Sequence, residues 1–135
     1  MGANPNANGG MLLEDLKTPD FKKYGIKVPK PGSVKESDMM NLGHYVRDLI
    51  SLNKKNFRVF GPDETKSNRL NHVFEKTNRR WLEKRLKTDE SLAPDGRVVD
   101  SMLSEHLCQG WLEGYLLTGR HGIFNSYEAF IRIVD

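Results

Sequence analysis

Apolar residues fall into short blocks along the chain, and their spacing changes from block to block. Met39, Leu42, Val46, Leu49 and Ile50 recur at three- and four-residue intervals, the spacing of one helical face, and predict a helix over 38–53. Ser33-Val34-Lys35-Glu36 has the form of a capping box, with Ser37 or Asp38 as alternative caps, and Asn53-Lys54-Lys55-Asn56 ends the pattern. Phe57-Arg58-Val59-Phe60 is β-prone and stopped by Gly61-Pro62, so it reads as a buried strand. Leu70, Val73, Phe74, Trp81, Leu82 and Leu86 fit one helix interrupted at Thr77-Asn78, and residues 91–96 read as a loop. A second strand is expected over 97–101. Leu103, Leu107, Trp111 and Tyr115 then recur every fourth residue, widened by Leu112 and Leu116, between a Ser104 N-cap and Gly119 as a C-terminal signal. Ile123-Phe124 opens a strand or turn, and a helical pattern restarts from Tyr127 to Val134.

Residues 1–35 follow no such pattern. Pro5, Pro19, Pro29 and Pro31 leave no room for a long helix or strand. Yet Leu12, Leu13, Leu16, Phe21, Tyr24, Ile26 and Val28 are more apolar than a free linker would be. This segment reads as an extended connector strapped onto another surface, with a helical turn near 11–16. Helix followed by strand over 36–135 is the grammar of an α/β domain. Two or three short strands do not complete a sheet, and the last helical pattern is still running at Asp135. The chain is therefore expected to be a segment of a longer protein, with residues 36–135 a truncated α/β domain.

Charge removes some functions. The 135 residues carry 21 basic and 18 acidic side chains, a net +3. The whole excess sits in residues 1–35, spread over Lys17, Lys22, Lys23, Lys27, Lys30 and Lys35, and is not gathered on one face as in nucleic-acid binders. No apolar run approaches the ~18–20 residues of a membrane span. The lone Cys108 excludes an internal disulfide or multi-cysteine metal site. The first ten residues lack the basic and apolar regions of a signal peptide, so a cytoplasmic setting, without nucleic-acid or membrane partners, is expected.

The residues alone give a muted chemical picture. No glycine-rich phosphate loop, zinc-protease helix or nucleophile elbow occurs. His44, His72, His106 and His121 are too dispersed to form a ligand pair, Cys108 reads as a packed hydrophobe, and Arg79-Arg80-Trp81-Leu82-Glu83-Lys84-Arg85 reads as a solvated helical face. Two loops stand out. Gly61 to Leu70 follows a strand, where open α/β sheets bind ligands, and Ser67-Asn68-Arg69 at a helix start offers donors for an anion. An ordinary turn capped by Asp63 or Ser67 explains it as well. Ser104-Glu105-His106 follows the second strand, and a glutamate in a first helical turn ordinarily complements the helix dipole. Phe124, Tyr127 and Phe130, three residues apart, read as core.

The longer motifs add a resemblance. Gly2-Ala3-Asn4-Pro5, Phe57-Arg58-Val59-Phe60-Gly61-Pro62-Asp63-Glu64-Thr65, Ser67-Asn68-Arg69-Leu70, Leu92-Ala93-Pro94-Asp95-Gly96-Arg97-Val98 and Ser104-Glu105-His106 resemble phosphoketolases. So does the run from Gly110 through Trp111-Leu112-Glu113-Gly114-Tyr115 to Thr118-Gly119-Arg120-His121-Gly122, followed by Ser126-Tyr127-Glu128-Ala129-Phe130. These thiamine-diphosphate enzymes split xylulose 5-phosphate or fructose 6-phosphate with inorganic phosphate to acetyl phosphate and an aldose phosphate. The resemblance implies a middle slice of a longer chain. Residues 1–35 would be the interdomain connector, and residues 36–135 the first part of a three-layer pyrimidine-binding domain in a homodimer or higher oligomer. It implies that Glu105 contacts the cofactor's aminopyrimidine ring nitrogen, promoting the imino tautomer that generates the ylide. Phe124, Tyr127 and Phe130 would wall the pyrimidine, Glu64 would be a second active-site carboxylate, and Ser67, Arg69 and Tyr127 would contact substrate phosphate. Ligands for Mg2+ and for the diphosphate would lie outside this segment, so the fragment alone is expected to be inactive. A reading of a different class is a small, non-catalytic basic module, with residues 1–35 and 79–87 meeting an acidic partner.

Overall fold

In a computed structural model, Pro5 and residues 12–135 are described. Gly2, Ala3, Asn4 and part of the turn expected near 11–16 lie outside them, and residues 13–20 carry no regular structure. The organising element is β1 (Phe57–Gly61), mostly buried because neighbours pair with both of its edges and helices cover it above and below, with only Arg58 partly open. With β2 (Arg79–Arg80), β3 (Leu92–Ala93), β4 (Val98–Asp100) and β5 (His121–Phe124) it forms a five-stranded sheet of order β3-β2-β4-β1-β5, parallel throughout. Val59 lies opposite Val98 on one side and Ile123 on the other. Helix α1 (Asp38–Leu52) covers this face, burying Val46, Leu49 and Ile50 against Phe57, Val59, Val73 and Val98. Each such side chain contributes ~1.5–3 kcal/mol by leaving water. Helix α2 (Glu105–Leu116) covers the opposite face, completing the three-layer α/β arrangement, and a short α3 (Glu128–Ile131) follows β5.

The alternative cap Ser37, not the Ser33–Glu36 capping box, closes α1, and Ser104 caps α2 as expected. Ser37 Oγ accepts from Met40 N at 3.4 Å, and Ser104 Oγ accepts from Leu107 N at 3.4 Å. Gly119 takes φ +84°, a conformation that suits a residue without Cβ.

Residues 12–35 run across α1 and the sheet edge. Asn53 at the end of α1 is the clasp: its Oδ1 accepts from Lys17 N at 3.0 Å and its Nδ2 donates to Lys17 O at 2.7 Å. Further along, Tyr24 OH donates to Asp48 Oδ2 at 2.5 Å, and His121 Nε2 hydrogen-bonds Glu14 O at 2.8 Å. The Arg47 guanidinium beside Asp48 holds its carboxyl down at about 2, and the bond to Asp48 pushes the Tyr24 phenol up to about 12. A depressed carboxylate stabilises the fold above its ordinary value of 3.8 and loses that contribution as pH falls toward 2. Protection of the Lys17 and Lys23 amides, corrected for intrinsic exchange, is therefore expected to fall between about pH 4 and about pH 2. Asp48→Asn should flatten that dependence, and an unchanged profile would refute the Tyr24–Asp48 attachment.

Three expectations are corrected. The interrupted helix expected through Leu70 to Leu86 does not form. A 3-10 turn over Asn71–Glu75 leads into Thr77, whose Oγ1 accepts from Arg97 N at 2.8 Å, and Asn78 O accepts from Val98 N at 3.2 Å. These pairings pull residues 79–80 into the sheet, and β3 pairs with them inside what reads as a loop. Arg79 is thus no solvated helix residue: its guanidinium lies 4.4 Å from the Phe74 ring centroid and binds Asp100. Second, α2 turns Glu105 and Cys108 to the sheet, with Leu112 and Tyr115 following them, while Leu103, Leu107 and Trp111 of the expected stripe stay exposed. Gly122 permits this approach, since a Cβ there would sit 2.7 Å from Leu112 Cδ1. Third, α3 is one turn rather than a helix through Val134.

Candidate active site

The carboxyl ends of β1, β4 and β5 bring three loops together. Gly61-Pro62-Asp63-Glu64-Thr65 leaves β1, Asp100 and Ser101 lead to α2, and Asn125-Ser126-Tyr127 leaves β5. Glu64 and Glu105 are both nearly inaccessible, at 3% and 6% exposed. Each is held by the same loop: Tyr127 N donates to Glu64 Oε2 at 2.8 Å, and Ser126 Oγ donates to Glu105 Oε1 at 3.2 Å. Two carboxylates from separate strand ends thus grip adjacent residues of a third.

Asn125, which the sequence pattern does not single out, fixes that loop. Its backbone N and its Nδ2 both donate to Phe60 O, at 2.9 and 3.0 Å, and its Oδ1 accepts from Asn68 Nδ2 at 3.3 Å. Gly61 leaves room for it, because a Cβ there would approach Asn125 Nδ2 to 2.7 Å. The Glu64 loop is anchored from below: Thr65 Oγ1 donates to Asp100 Oδ1 at 2.8 Å, and Arg79 Nε donates to Asp100 Oδ2 at 2.5 Å. Burial pushes the Asp100 carboxyl up, with Thr65 and Arg79 pulling against it. Beside it, burial pushes the Cys108 thiol up to about 11, as befits a packed, unreactive side chain.

The aromatic residues divide. Tyr127 and Phe130 form a tilted pair with centroids 6.1 Å apart, both partly open to solvent. Phe124 lies on the α2 side of β5 and lines a groove with Leu112, Leu116 and Ile131 instead. Ser67 and Arg69 sit on the exposed rim, with the Ser67 hydroxyl donating to Glu64 O at 3.2 Å. Arg69 takes φ +62°, and its carbonyl rests on α1 where Gly43 has no side chain. Among the described residues its guanidinium has neither ion pair nor hydrogen bond. No free helix N-terminus forms here. The N–H groups of Asn68, Arg69 and Leu70 are taken by Glu64, Lys66 and Thr65 carbonyls, and a five-residue 3-10 turn follows. Any anion at this rim would depend on side chains. Among the described residues, no three metal-ligating side chains converge, and no helix is long and apolar enough to cross a membrane.

A buried carboxylate beside an accessible aromatic pair suits a planar heteroaromatic ring with a nitrogen at its edge. Residues 40–135 match the family model for D-xylulose 5-phosphate/D-fructose 6-phosphate phosphoketolase. Across its whole length the chain is 65% identical to a probable phosphoketolase of Clostridium acetobutylicum, 59% to one of Chlorobaculum tepidum and 60% to one of Mycobacterium avium. It spans 17% of each of those relatives. The match sets aside an unrelated basic module: by its family-model match and its identity to these relatives, this chain belongs to the phosphoketolase family.

Proposed function

We propose that the chain supplies the pyrimidine-binding half of a thiamine-diphosphate site in a cytoplasmic phosphoketolase, with residues 1–35 as its interdomain connector. The enzyme would cleave xylulose 5-phosphate or fructose 6-phosphate with phosphate to acetyl phosphate and an aldose phosphate, in a homodimer or larger homo-oligomer. The observation that carries this reading is the pair of buried carboxylates, Glu64 and Glu105, locked to consecutive residues beside the Tyr127–Phe130 pair. The residues fit the cofactor's pyrimidine: Glu105 offers a carboxylate for a ring-edge nitrogen and Tyr127 and Phe130 offer aromatic faces, whereas Phe124, on the α2 side of β5, is not part of that wall. When bound, thiamine diphosphate supplies the carbon nucleophile and electron sink that these side chains lack. Glu105 would hold and return a proton at its carboxylate oxygen, with Ser126 fixing its orientation. Glu64 would act as a second proton-handling carboxylate. Diphosphate and Mg2+ would be ligated by residues beyond this segment.

The decisive assay measures acetyl phosphate formed by the full-length protein from either sugar phosphate, with and without inorganic phosphate and thiamine diphosphate. No acetyl phosphate from either sugar would overturn the activity. Ser67, Arg69 and Tyr127 are proposed to meet the substrate phosphate. A charge-assisted guanidinium contact is worth about 1.5–3 kcal/mol, so Arg69→Ala should raise KM for the sugar phosphate roughly ten- to hundred-fold. Arg69→Lys should rescue it poorly, because an ammonium lacks the planar fork. An unaltered KM would remove Arg69 from the site and leave the pyrimidine half standing.

A further inference from the structure

A cationic cluster lies at the end of the sheet opposite Glu64 and Glu105. Arg58 is the second residue of β1, Arg97 immediately precedes β4, and Arg120 immediately precedes β5. The three strands are neighbours, so all three arginines gather at their amino ends, away from Glu64 and Glu105. They share one side chain. Arg58 and Arg120 place their guanidinium carbons 5.1 and 5.3 Å from the Tyr115 ring centroid, and Arg97 donates to Tyr115 OH at 2.8 Å.

The chain provides no anion for them. All of its aspartates and glutamates lie within the described residues, yet ion pairs there engage only Arg47, His72 and Arg79. Arg97 otherwise donates to Phe57 O and Arg120 to Thr118 Oγ1, whereas the buried Nε–H of Arg58 has no partner at all among the described residues. Burial, and then the neighbouring charge of Arg97, pull Arg58 below the usual guanidinium range. Stacking on one tyrosine orients the cations without neutralising them, and like charges this close are costly when left uncompensated. Beside Arg58 a groove opens between the sheet and α2, walled by Phe60, Val99, Trp111 and Gly114. It is open at Gly114, where a Cβ would meet nothing within 4 Å.

We propose that Arg58, Arg97 and Arg120, arranged about Tyr115, form an oxyanion-binding site at the amino ends of β4, β1 and β5, distinct from the candidate active site. Guanidinium forks match the paired oxygens of a carboxylate or phosphate. That oxyanion has two possible sources, an acidic side chain from outside residues 1–135 or a free phosphate-type ion. One experiment separates them without any substitution: crystals of the full-length protein, grown without other oxyanions, are soaked in sodium selenate and read by anomalous scattering. An aspartate or glutamate seated on the arginines identifies a protein carboxylate, and a selenium peak there identifies a free-ion site. In the second case, selenate should raise the melting temperature in solution, and Arg58→Met should weaken that response at least several-fold. Arginines holding neither group would overturn the proposal. So would a selenium peak whose occupant leaves the solution melt unmoved, since that marks an adventitious ion only.

Discussion

Glu105→Gln in the full-length protein should cut acetyl phosphate formation by about 10²–10⁴-fold while leaving the fold intact. Glutamine keeps the length and planarity of the side chain, and its amide oxygen can still accept the 3.2 Å bond from Ser126 Oγ. What it cannot do is share or return a proton. The competing account makes Glu105 a first-turn residue of α2 that complements the helix dipole, and it predicts a loss of only ~0.3–1 kcal/mol of stability with unaltered chemistry. Turnover and melting temperature, measured on the same variant, separate the two. Near-normal turnover with a lowered melt would return Glu105 to a structural role and dissolve the proposed proton path.

Asp100→Ala should give the largest stability loss. The side chains of Asp100 and Arg79 are 7% and 18% exposed, so removing the carboxylate leaves the packed Arg79 with only the exposed Asp63 at 4.0 Å and takes the acceptor from Thr65. Breaking one partner of such a pair typically costs about 3–5 kcal/mol. Because Arg79 belongs to β2 and Thr65 adjoins Glu64, cooperative unfolding and turnover should both suffer. The companion Asp100→Ala/Arg79→Leu variant, which removes the orphaned charge, should recover much of the lost stability. A loss below about 1 kcal/mol for the single variant would mean that the pair is well solvated and does not anchor the Glu64 loop.

What could be read from the sequence were the local signals. Helix α1, β1 and the Ser104 cap follow from apolar spacing and hydroxyl placement, because those features act within a few residues of themselves. The β2–β3 region was opaque for the opposite reason. Arg79-Arg80 has no strand propensity of its own, and it is extended because Arg97 and Val98, on the far side of a loop, bind Thr77 and Asn78 just before it while Asp100 binds the Arg79 guanidinium. The inward face of α2 misled for a related reason. Leu103, Leu107 and Trp111 advertise a core that this chain does not provide, whereas Glu105 and Cys108 are buried by their position over the sheet. In the site, the glutamates were identifiable only through a family motif. Asn125 was not, since nothing in Phe124-Asn125-Ser126 announces that its amide bridges Phe60 and Asn68.

The turn after β5 carries a consequence for how the chain can vary in length. Asn125, Ser126 and Tyr127 bond in succession to Phe60 O, Glu105 and Glu64. Inserting or deleting one residue there would shift all three attachments together, detaching both carboxylates and the end of β1 in a single event. The exposed stretch between β2 and β3, from Trp81 to Glu90, spans no such triple register. Insertions should be tolerated there and excluded at the turn, making the turn the fold's fixed ruler and the far loop its adjustable margin.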